Sequence, residues 1–510
     1  MLARAHTFTI DGLQTRHVTV EVDVRAGLPA FAIVGLADAA VREARERVRA
    51  AILNSGYEFP PRRITANLAP ADVPKAGPGL DLALACAVLA ASGQLPRERL
   101  EEQALFGELA LNGDVSACRG TLAVAQAAQQ LGLRRLLLAG GRAREARLVE
   151  GLEVAVVERL SSAVRVLRGG PADRLPTAAP AVNRGESARV RGPDLADVRG
   201  QQHAVKALVV AAAGGHNSLL SGPPGTGKTM LAQRLPSILP ALSRPEAIEV
   251  TRIHSIAGDL GGELARSRPF RAPHHSITTA GLLGGARGGR VGEVVLAHNG
   301  VLFLDELSEF TRPVLEALRQ PLEDGRVAVV RARHAAVYPA RFMLVAATNP
   351  CPCGYAGGEE RCRCSEADMA RHRRRLSGPL LDRIDLHVHL DRDVRHDLRA
   401  SPLTSSEKAR ELVAQARERQ AARFSQDGVA VNAQMDIRLL QRHAGLSQEG
   451  EEMLRAASQR GLLSARGQHR VLRLARTIAD LNGSPRVRSR DLGTALALRP
   501  DASLTHARAA

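Results

Sequence analysis

Tryptophan is absent from this 510-residue chain, tyrosine occurs three times and phenylalanine nine. So sparse an aromatic complement argues against binding nucleic acid by stacking bases on an aromatic platform. Lysine is almost as scarce: Lys75, Lys206, Lys228 and Lys408 are its four copies, although lysine and arginine together number 70. Long apolar runs are also missing. The longest uncharged one, Leu82 to Ala91, falls far short of the roughly 20 residues that span a bilayer, so no membrane helix is expected. The amino terminus, MLARAHTFTIDG, lacks the apolar core and small-residue cleavage site of a secretory signal, which points to the cytoplasm. Cysteine is limited to six residues, and in a reducing compartment a disulfide framework is the poorer reading of them.

Positive charge is what the chain has in excess, a formal +17 at pH 7 with a pI near 10.8. Summed positive potential steers association with phosphate backbones, which makes nucleic acid the expected partner. Arginine and alanine enrichment inherited from genomic base composition is the bland alternative. With few aromatics and many arginines, a nucleic-acid site here is expected to track the backbone rather than read bases.

The length allows roughly two to four domains. Residues 1–168 alternate short β-rich runs (HTFTIDG, VTVEVDV, FAIVGL, ITANLA, LLLAGG, EVAVVE) with helical patterns such as DAAVREARERVRAAILNSG, predicting a compact α/β domain. Residues 169–190 are poor in large apolar side chains and rich in Pro, Gly and Ala, the composition of a linker. Residues 191–395 return to α/β alternation, and 396–510 read as mostly helical. No solenoid-type repeat is visible.

Within the central α/β stretch, LLSGPPGTGKTMLAQRL runs from a short apolar strand through Gly222, Pro223, Pro224, Gly225, Thr226 and Gly227 into a helix. This is the G-x-x-x-x-G-K-[ST] phosphate loop in its required setting. Glycines let backbone N–H groups curl around the β-phosphate, Lys228 supplies a compact positive charge, and the Thr229 hydroxyl suits magnesium. NGVLFLDELSEF adds an apolar strand that ends in Asp305 and Glu306, a magnesium-holding carboxylate and a group to polarise the attacking water. A third buried strand, RFMLVAATNP, ends at Asn349, where an amide can position water against a γ-phosphate. GPLLDRIDL places Arg383 between acids, either as a surface ion pair or as an arginine finger that acts on a neighbouring subunit.

In this order, the phosphate loop, AHNGVLFLDEL, ATNPCPCGY, RLSGPLLDRIDL and SARGQHRVLRLARTIADL closely resemble the ComM/YifB family, bacterial AAA+ proteins related to the magnesium chelatase ATPase subunit. The likeness runs the length of the chain and is most specific over 194–390. It implies a Lon protease-like α/β front domain, a central P-loop AAA+ α/β domain and a C-terminal helical lid. It further implies a hexameric, ATP- and Mg2+-dependent DNA motor of the helicase or branch-migration kind, as in natural transformation. Carried over by resemblance, Lys228 and Thr229 match Walker A, Asp305 and Glu306 Walker B, Asn349 sensor 1, Arg383 the arginine finger and Arg466 sensor 2. For Arg466 the alternative is one more arginine on a basic helix with Arg470, Arg473 and Arg476.

The long interval between Lys228 and Asp305 leaves room for the insertion this clade carries, with Arg266, Arg268, Arg271, Arg287 and Arg290 among glycines as candidate pore or DNA contacts. His274 and His275 are expected to point apart, so they are not paired as metal ligands. In the front domain the resemblance puts Gly79 at the nucleophile position and Leu122 at that of the basic lysine. Catalysis by a nucleophile needs an oxygen or sulfur atom and an activating base, so an inactive scaffold is expected there, with Lys75 structural or a surface charge. The competing functions are a chelatase-type ATPase that remodels a protein partner, an ATP-dependent protease, and a nucleotide-switched scaffold.

NPCPCGYAGGEERCRC gathers Cys351, Cys353, Cys362 and Cys364, enough thiolates for a closed tetrahedral zinc site. An iron–sulfur cluster and unliganded or redox-active thiols are the alternatives. Cys86 and Cys118 stand alone in apolar or small-residue surroundings. Because the cluster lies between Asn349 and Arg383, zinc is expected to brace the segment joining them and so hold subunit-interface geometry, with a DNA contact there as a further option.

Overall fold

The computed structural model describes the chain except residues 36–38, 74, 76, 176–192, 259–262, 286–290, 332–333, 357–361, 377, 392–403, 461–462 and 500–510. Most of the expected linker, together with Arg287 and Arg290, lies outside the described residues. Two compact units form. The first comprises Met1–Arg184, Arg244–Ala265 and Ala328–Tyr338, and the second Gly185–Ser243, Arg266–Val327 and Pro339–Ala510.

The first unit is built on a seven-stranded sheet. Its strands are β1 (Leu2–Asp11), β2 (Gln14–Arg25), β3 (Ala30–Val34), β4 (Arg63–Ala69), β5 (Gln103–Phe106), β6 (Arg135–Leu138) and β7 (Glu153–Val156), in spatial order β3-β4-β2-β1-β5-β6-β7. Period-two alternation in β2 turns Val18, Val20, Val22 and Val24 into the core and their neighbours outward. β1 and β2 pair antiparallel from Leu2↔Asp23 to Asp11↔Gln14 around a turn that needs the left-handed φ of +65° at Gly12. Helix Asp81–Ala91, DLALACAVLAA, is buried on every side, as an all-round apolar helix must be. Asp81 at its start is buried against Arg47, whose Nε and Nη2 donate to its carboxylate at 2.8 and 3.1 Å.

Two segments that the sequence reading leaves within the central stretch belong to this first unit. Helix Arg244–Ala257 packs there with Ser255 donating its hydroxyl to the buried Glu145 carboxylate. Arg142 joins the same cluster, donating to Glu145 at 2.9 Å and to the carbonyls of Ser255 and Gly258 at 3.3 Å. Ala328–Tyr338, most of the hairpin Arg326–Arg331 and His334–Pro339, reaches the β1–β2 turn, where a Cβ on Gly12 would lie 2.9 Å from Ala336 Cβ.

The second unit holds a five-stranded sheet that is parallel throughout: β8 (Ser218–Ser221), β9 (Phe270–Arg271), β10 (Val301–Leu304), β11 (Met343–Thr348) and β12 (Leu386–His389), in the order β9-β10-β11-β8-β12. Every residue of β10 and β11 is buried, which is why both read as unbroken apolar runs. The C-terminal helices share this unit's core. Ala409, Val413 and Ala416 of one helix (Ser406–Arg423) and Val471, Leu474 and Ala475 of another (Ala465–Leu481) join Ala204, Leu208 and Ala211 of helix Gln202–Gly214. A buried polar seam fixes the same helices. His216 donates from Nδ1 to Asp385 at 3.0 Å, and its Nε2 lies 2.8 Å from Thr477 Oγ1. Asp480, fully buried, receives Arg423 at 2.9 Å, Arg476 at 2.8 Å and Asn432 at 2.8 Å. Among the described residues, no helix is long and apolar enough to cross a membrane.

Candidate nucleotide site and cysteine centre

The parallel register aligns the carboxyl ends of three neighbouring strands, the place where open α/β sheets bind ligands. Ser221 pairs with Thr348 and Leu304 with Ala346, so the phosphate loop, Asp305 and Asn349 emerge side by side. The loop leaves β8 at Gly222, whose Cβ, if it had one, would lie 2.4 Å from the Leu390 carbonyl oxygen. It enters helix Lys228–Ile238 at Gly227, with φ +88°.

Lys228 Nζ donates to the carbonyls of Gly222 at 2.7 Å and Pro223 at 2.8 Å and to Asn349 Oδ1 at 3.1 Å. Burial pulls its pKa below the ordinary lysine value, against the opposing pull of Asp305 and Glu306. Thr229 Oγ1 donates to Asp305 Oδ2 at 2.7 Å. A hydroxyl and a carboxylate in contact supply the hard oxygens magnesium takes, and the ammonium now held by neutral carbonyls suits phosphate oxygens better, so these residues fit Mg–ATP. Glu306 sits at φ 52°, left-handed backbone that costs a non-glycine residue energy and clusters at functional sites.

Not every expected residue joins them. Arg383 is turned onto Glu323 within its own chain, with its side chain 15% exposed. Arg466 is exposed on the first turn of helix Ala465–Leu481, and among the described residues it makes no hydrogen bond to the phosphate loop. Its neighbours are committed elsewhere. Arg470 lies 3.8 Å from Asp385, and Arg476 is buried against Asp480. Of the insertion arginines, Arg268 donates to the carbonyls of Pro240 and Asn299 at 2.7 and 2.8 Å, and Arg271 holds Glu293 by two bonds of 2.6 and 2.8 Å. Their charge is spent on bracing the unit. The expected divergence of His274 and His275 is also overturned, since their rings lie 4.0 Å apart. His275 Nδ1 stands 3.7 Å from Glu306 Oε2, a neighbour of that carboxylate that sequence spacing did not reveal.

The four clustered cysteines do converge. Their sulfurs all lie within 4.8 Å of one another, with Sγ–Sγ separations of 3.3, 3.8 and 3.7 Å for 351–353, 351–362 and 353–362. These are far from disulfide length and close to the ~3.8 Å edge of a tetrahedron whose Zn–S bonds are about 2.3 Å. The donor set fits zinc. Backbone N–H groups of Tyr355 and then Arg363 stabilise the Cys353 thiolate and bring its pKa to about 6. Cys86 and Cys118 are the opposite case. Burial pushes each to about 12, which disfavours the thiolate at neutral pH.

In the first unit, Gly79 has no room for a nucleophile, since a Cβ there would meet Phe106 Cε2 at 2.4 Å. Leu122 is buried core. Lys75 is fully buried, and its ammonium donates to the Pro70 carbonyl.

Three family descriptions match the chain: "Magnesium chelatase, subunit ChlI" over 194–398, "Subunit ChlI of Mg-chelatase" over 20–141 and "Magnesium chelatase, subunit ChlI C-terminal" over 403–499. An uncharacterized protein, Rv2897c, of Mycobacterium tuberculosis (strain ATCC 25618 / H37Rv) is 45% identical over 503 residues, 98% of each chain. The uncharacterized protein YifB of Escherichia coli K12 is 42% identical over 501 residues, 98% of this chain and 97% of its own. Competence protein ComM of Haemophilus influenzae Rd is 42% identical over 495 residues, 96% of this chain and 95% of its own. The chain belongs to the ComM/YifB family. As a ComM/YifB protein with a magnesium-chelatase-like AAA+ core, it has ATP and Mg2+ as the implied cofactors of the loop that Lys228, Thr229 and Asp305 form.

Proposed function

We propose that the chain is an ATPase that works as a hexameric DNA motor in the cytoplasm, remodelling branched recombination intermediates. The observation that carries the ATPase half is the meeting of Lys228, Thr229, Asp305 and Asn349 at the ends of three adjacent parallel strands. With Mg–ATP bound, Lys228 would hold the β- and γ-phosphate oxygens, Thr229 and Asp305 would hold magnesium, and Asn349 and Glu306 would orient and polarise the attacking water. Magnesium, when bound, neutralises charge that develops on the phosphate oxygens. In a ring, Arg383 leaves Glu323 and reaches the neighbouring subunit's nucleotide, and Arg466 closes the lid over its own. Cys351, Cys353, Cys362 and Cys364 would hold a zinc ion that ties together the segment between Asn349 and Arg383.

DNA as the track is supported by the +17 formal charge and by the competence protein among the full-length relatives. The magnesium chelatase descriptions favour a second reading, in which the same ATPase remodels a protein partner. The two separate in one assay: ATP hydrolysis with and without forked DNA, then strand displacement and branch migration, for wild type, Lys228→Ala and Glu306→Gln. DNA-stimulated turnover and strand movement in the wild type alone are expected. Hydrolysis indifferent to every DNA, with no strand movement, refutes the motor and leaves the remodelling ATPase.

A further inference from the structure

A cavity of about 460 Å3 opens in the second unit between the cysteine turn and helix Glu366–Arg375, lined in part by Cys353, Cys364, Arg363, Arg371, His372 and Arg375. Asp368 is the carboxylate among its lining residues, set against three guanidinium groups. Arg371 and Arg375 keep 71% and 56% of their side-chain surface exposed and are held loosely, by Asp368 at 3.4 Å and Glu309 at 3.8 Å. Exposed pairs of this kind are worth about 0–1 kcal/mol, so a phosphate can displace them. Arg373 and Arg374, both exposed, add to the same last helical turn. Guanidinium groups fit phosphate oxygens by two parallel hydrogen bonds, and the volume suits a nucleotide-sized fragment. No Phe, Tyr or Trp is among its lining residues, and the one imidazole, His372, is buried, so it holds backbone rather than stacked bases.

Few atoms separate this cavity from the nucleotide site. His372 is buried, and its Nε2 donates to the Asn349 carbonyl at 3.0 Å. Asn349 Oδ1 in turn receives Lys228 Nζ. The cysteine turn itself abuts the phosphate loop, since a Cβ on Gly354 would lie 2.7 Å from Pro224 Cδ. We propose that this cavity seats the phosphates of a single DNA strand, and that His372 carries its occupancy through Asn349 to Lys228. The idea rests on the DNA-motor reading and adds to it the place where DNA is held and the route by which it stimulates hydrolysis.

The test uses the full chain, zinc content measured for every sample, and a fluorescein-labelled oligo(dT) strand titrated by anisotropy across a salt series. The double variant Arg371→Ala/Arg375→Ala is expected to melt like wild type, bind the strand about tenfold more weakly, and lose about 1.4 units of the slope of log affinity on log salt, ~0.7 per phosphate contact. Arg371→Lys/Arg375→Lys, which keeps both charges, is expected to retain the slope. His372→Leu is expected to bind the strand normally but lose the DNA-stimulated increment of ATP hydrolysis. A wild type that binds no strand refutes the motor reading and this inference together. Binding in wild type with an unchanged slope in the double alanine variant refutes this inference alone. So does loss of zinc in step with loss of binding, which reduces the arginines to counter-charges of the thiolates. Full stimulation in His372→Leu removes the route through Asn349.

Discussion

Replacing Gly354 by alanine tests whether the cysteine turn is a support of the phosphate loop. Gly354 has φ +84°, and its added Cβ would stand 2.7 Å from Pro224 Cδ and 2.8 Å from Pro224 Cγ. Carbon atoms at rest in contact lie about 3.5–4.0 Å apart, so the turn or the loop must retreat by about 1 Å. The left-handed backbone alone costs an L-residue roughly 1–2 kcal/mol. Gly428 separates these two effects, because its φ is +69° and a Cβ there meets nothing within 4 Å. Gly428→Ala is therefore expected to lower the melting temperature and leave nucleotide binding alone. Gly354→Ala is expected to do both, weakening the affinity for a fluorescent ATP analogue about tenfold, or ~1.4 kcal/mol, because the loop amides no longer meet the phosphates where they did. Unchanged nucleotide affinity in a folded, metal-loaded Gly354→Ala protein refutes the support.

Gly79→Ser is expected to restore no peptidase activity and to cost about 1–3 kcal/mol by overpacking against Phe106, seen as a lower urea midpoint; a casein-cleaving variant refutes the inactive-scaffold reading. Asp480→Ala leaves Arg423 and Arg476 without their shared buried carboxylate, and a loss of about 3–5 kcal/mol is expected in equilibrium unfolding. Burial first, then the charges of Arg499 and Arg470, pushes His387 down to about 3. It is neutral when folded but takes a proton near pH 6.5 when unfolded, so its contribution is complete above about 6.5 and is lost toward 3, at about 1.4 kcal/mol per pH unit. His387→Asn is expected to flatten the fall in stability between pH 6.5 and 5 relative to wild type; equal slopes in the two proteins refute this.

Features whose parts are close in sequence, or whose burial leaves a periodic trace, were legible in advance. The phosphate loop is one continuous segment, β10 and β11 are apolar because both faces of each are covered, and the cysteines lie within fourteen residues, from 351 to 364. What stayed hidden is partnership across the chain. An amphipathic pattern tells that helix Arg244–Ala257 buries a face, not that the face meets Glu145 and Arg142 of the front α/β layer. An arginine's charge is visible, but its commitment is not. Arg268 and Arg271 look like nucleic-acid contacts until their carbonyl and carboxylate partners are seen, and Arg383 finds Glu323 across sixty residues of chain. Arg476 was the recoverable case, since Asp480 four residues on is the spacing of a helical ion pair.

The cysteine turn changes meaning once its neighbours are known. Spacing alone makes it a metal brace on the segment between Asn349 and Arg383. Its contacts show what it touches: Gly354 backs onto Pro224 of the loop, and the following helix sends His372 to the Asn349 carbonyl. Four sulfurs within 4.8 Å fix the start of that helix as well as the turn, because Cys362 and Cys364 lead directly into the Ser365 cap, whose hydroxyl receives the Asp368 N–H at 3.1 Å. A metal held by the four sulfurs would tie the two ends of the turn together, so that a small displacement at one reaches the other. On the proposed reading, a metal on these thiolates would hold two things in register, the phosphate loop that Gly354 backs onto and the exposed arginines of helix Glu366–Arg375.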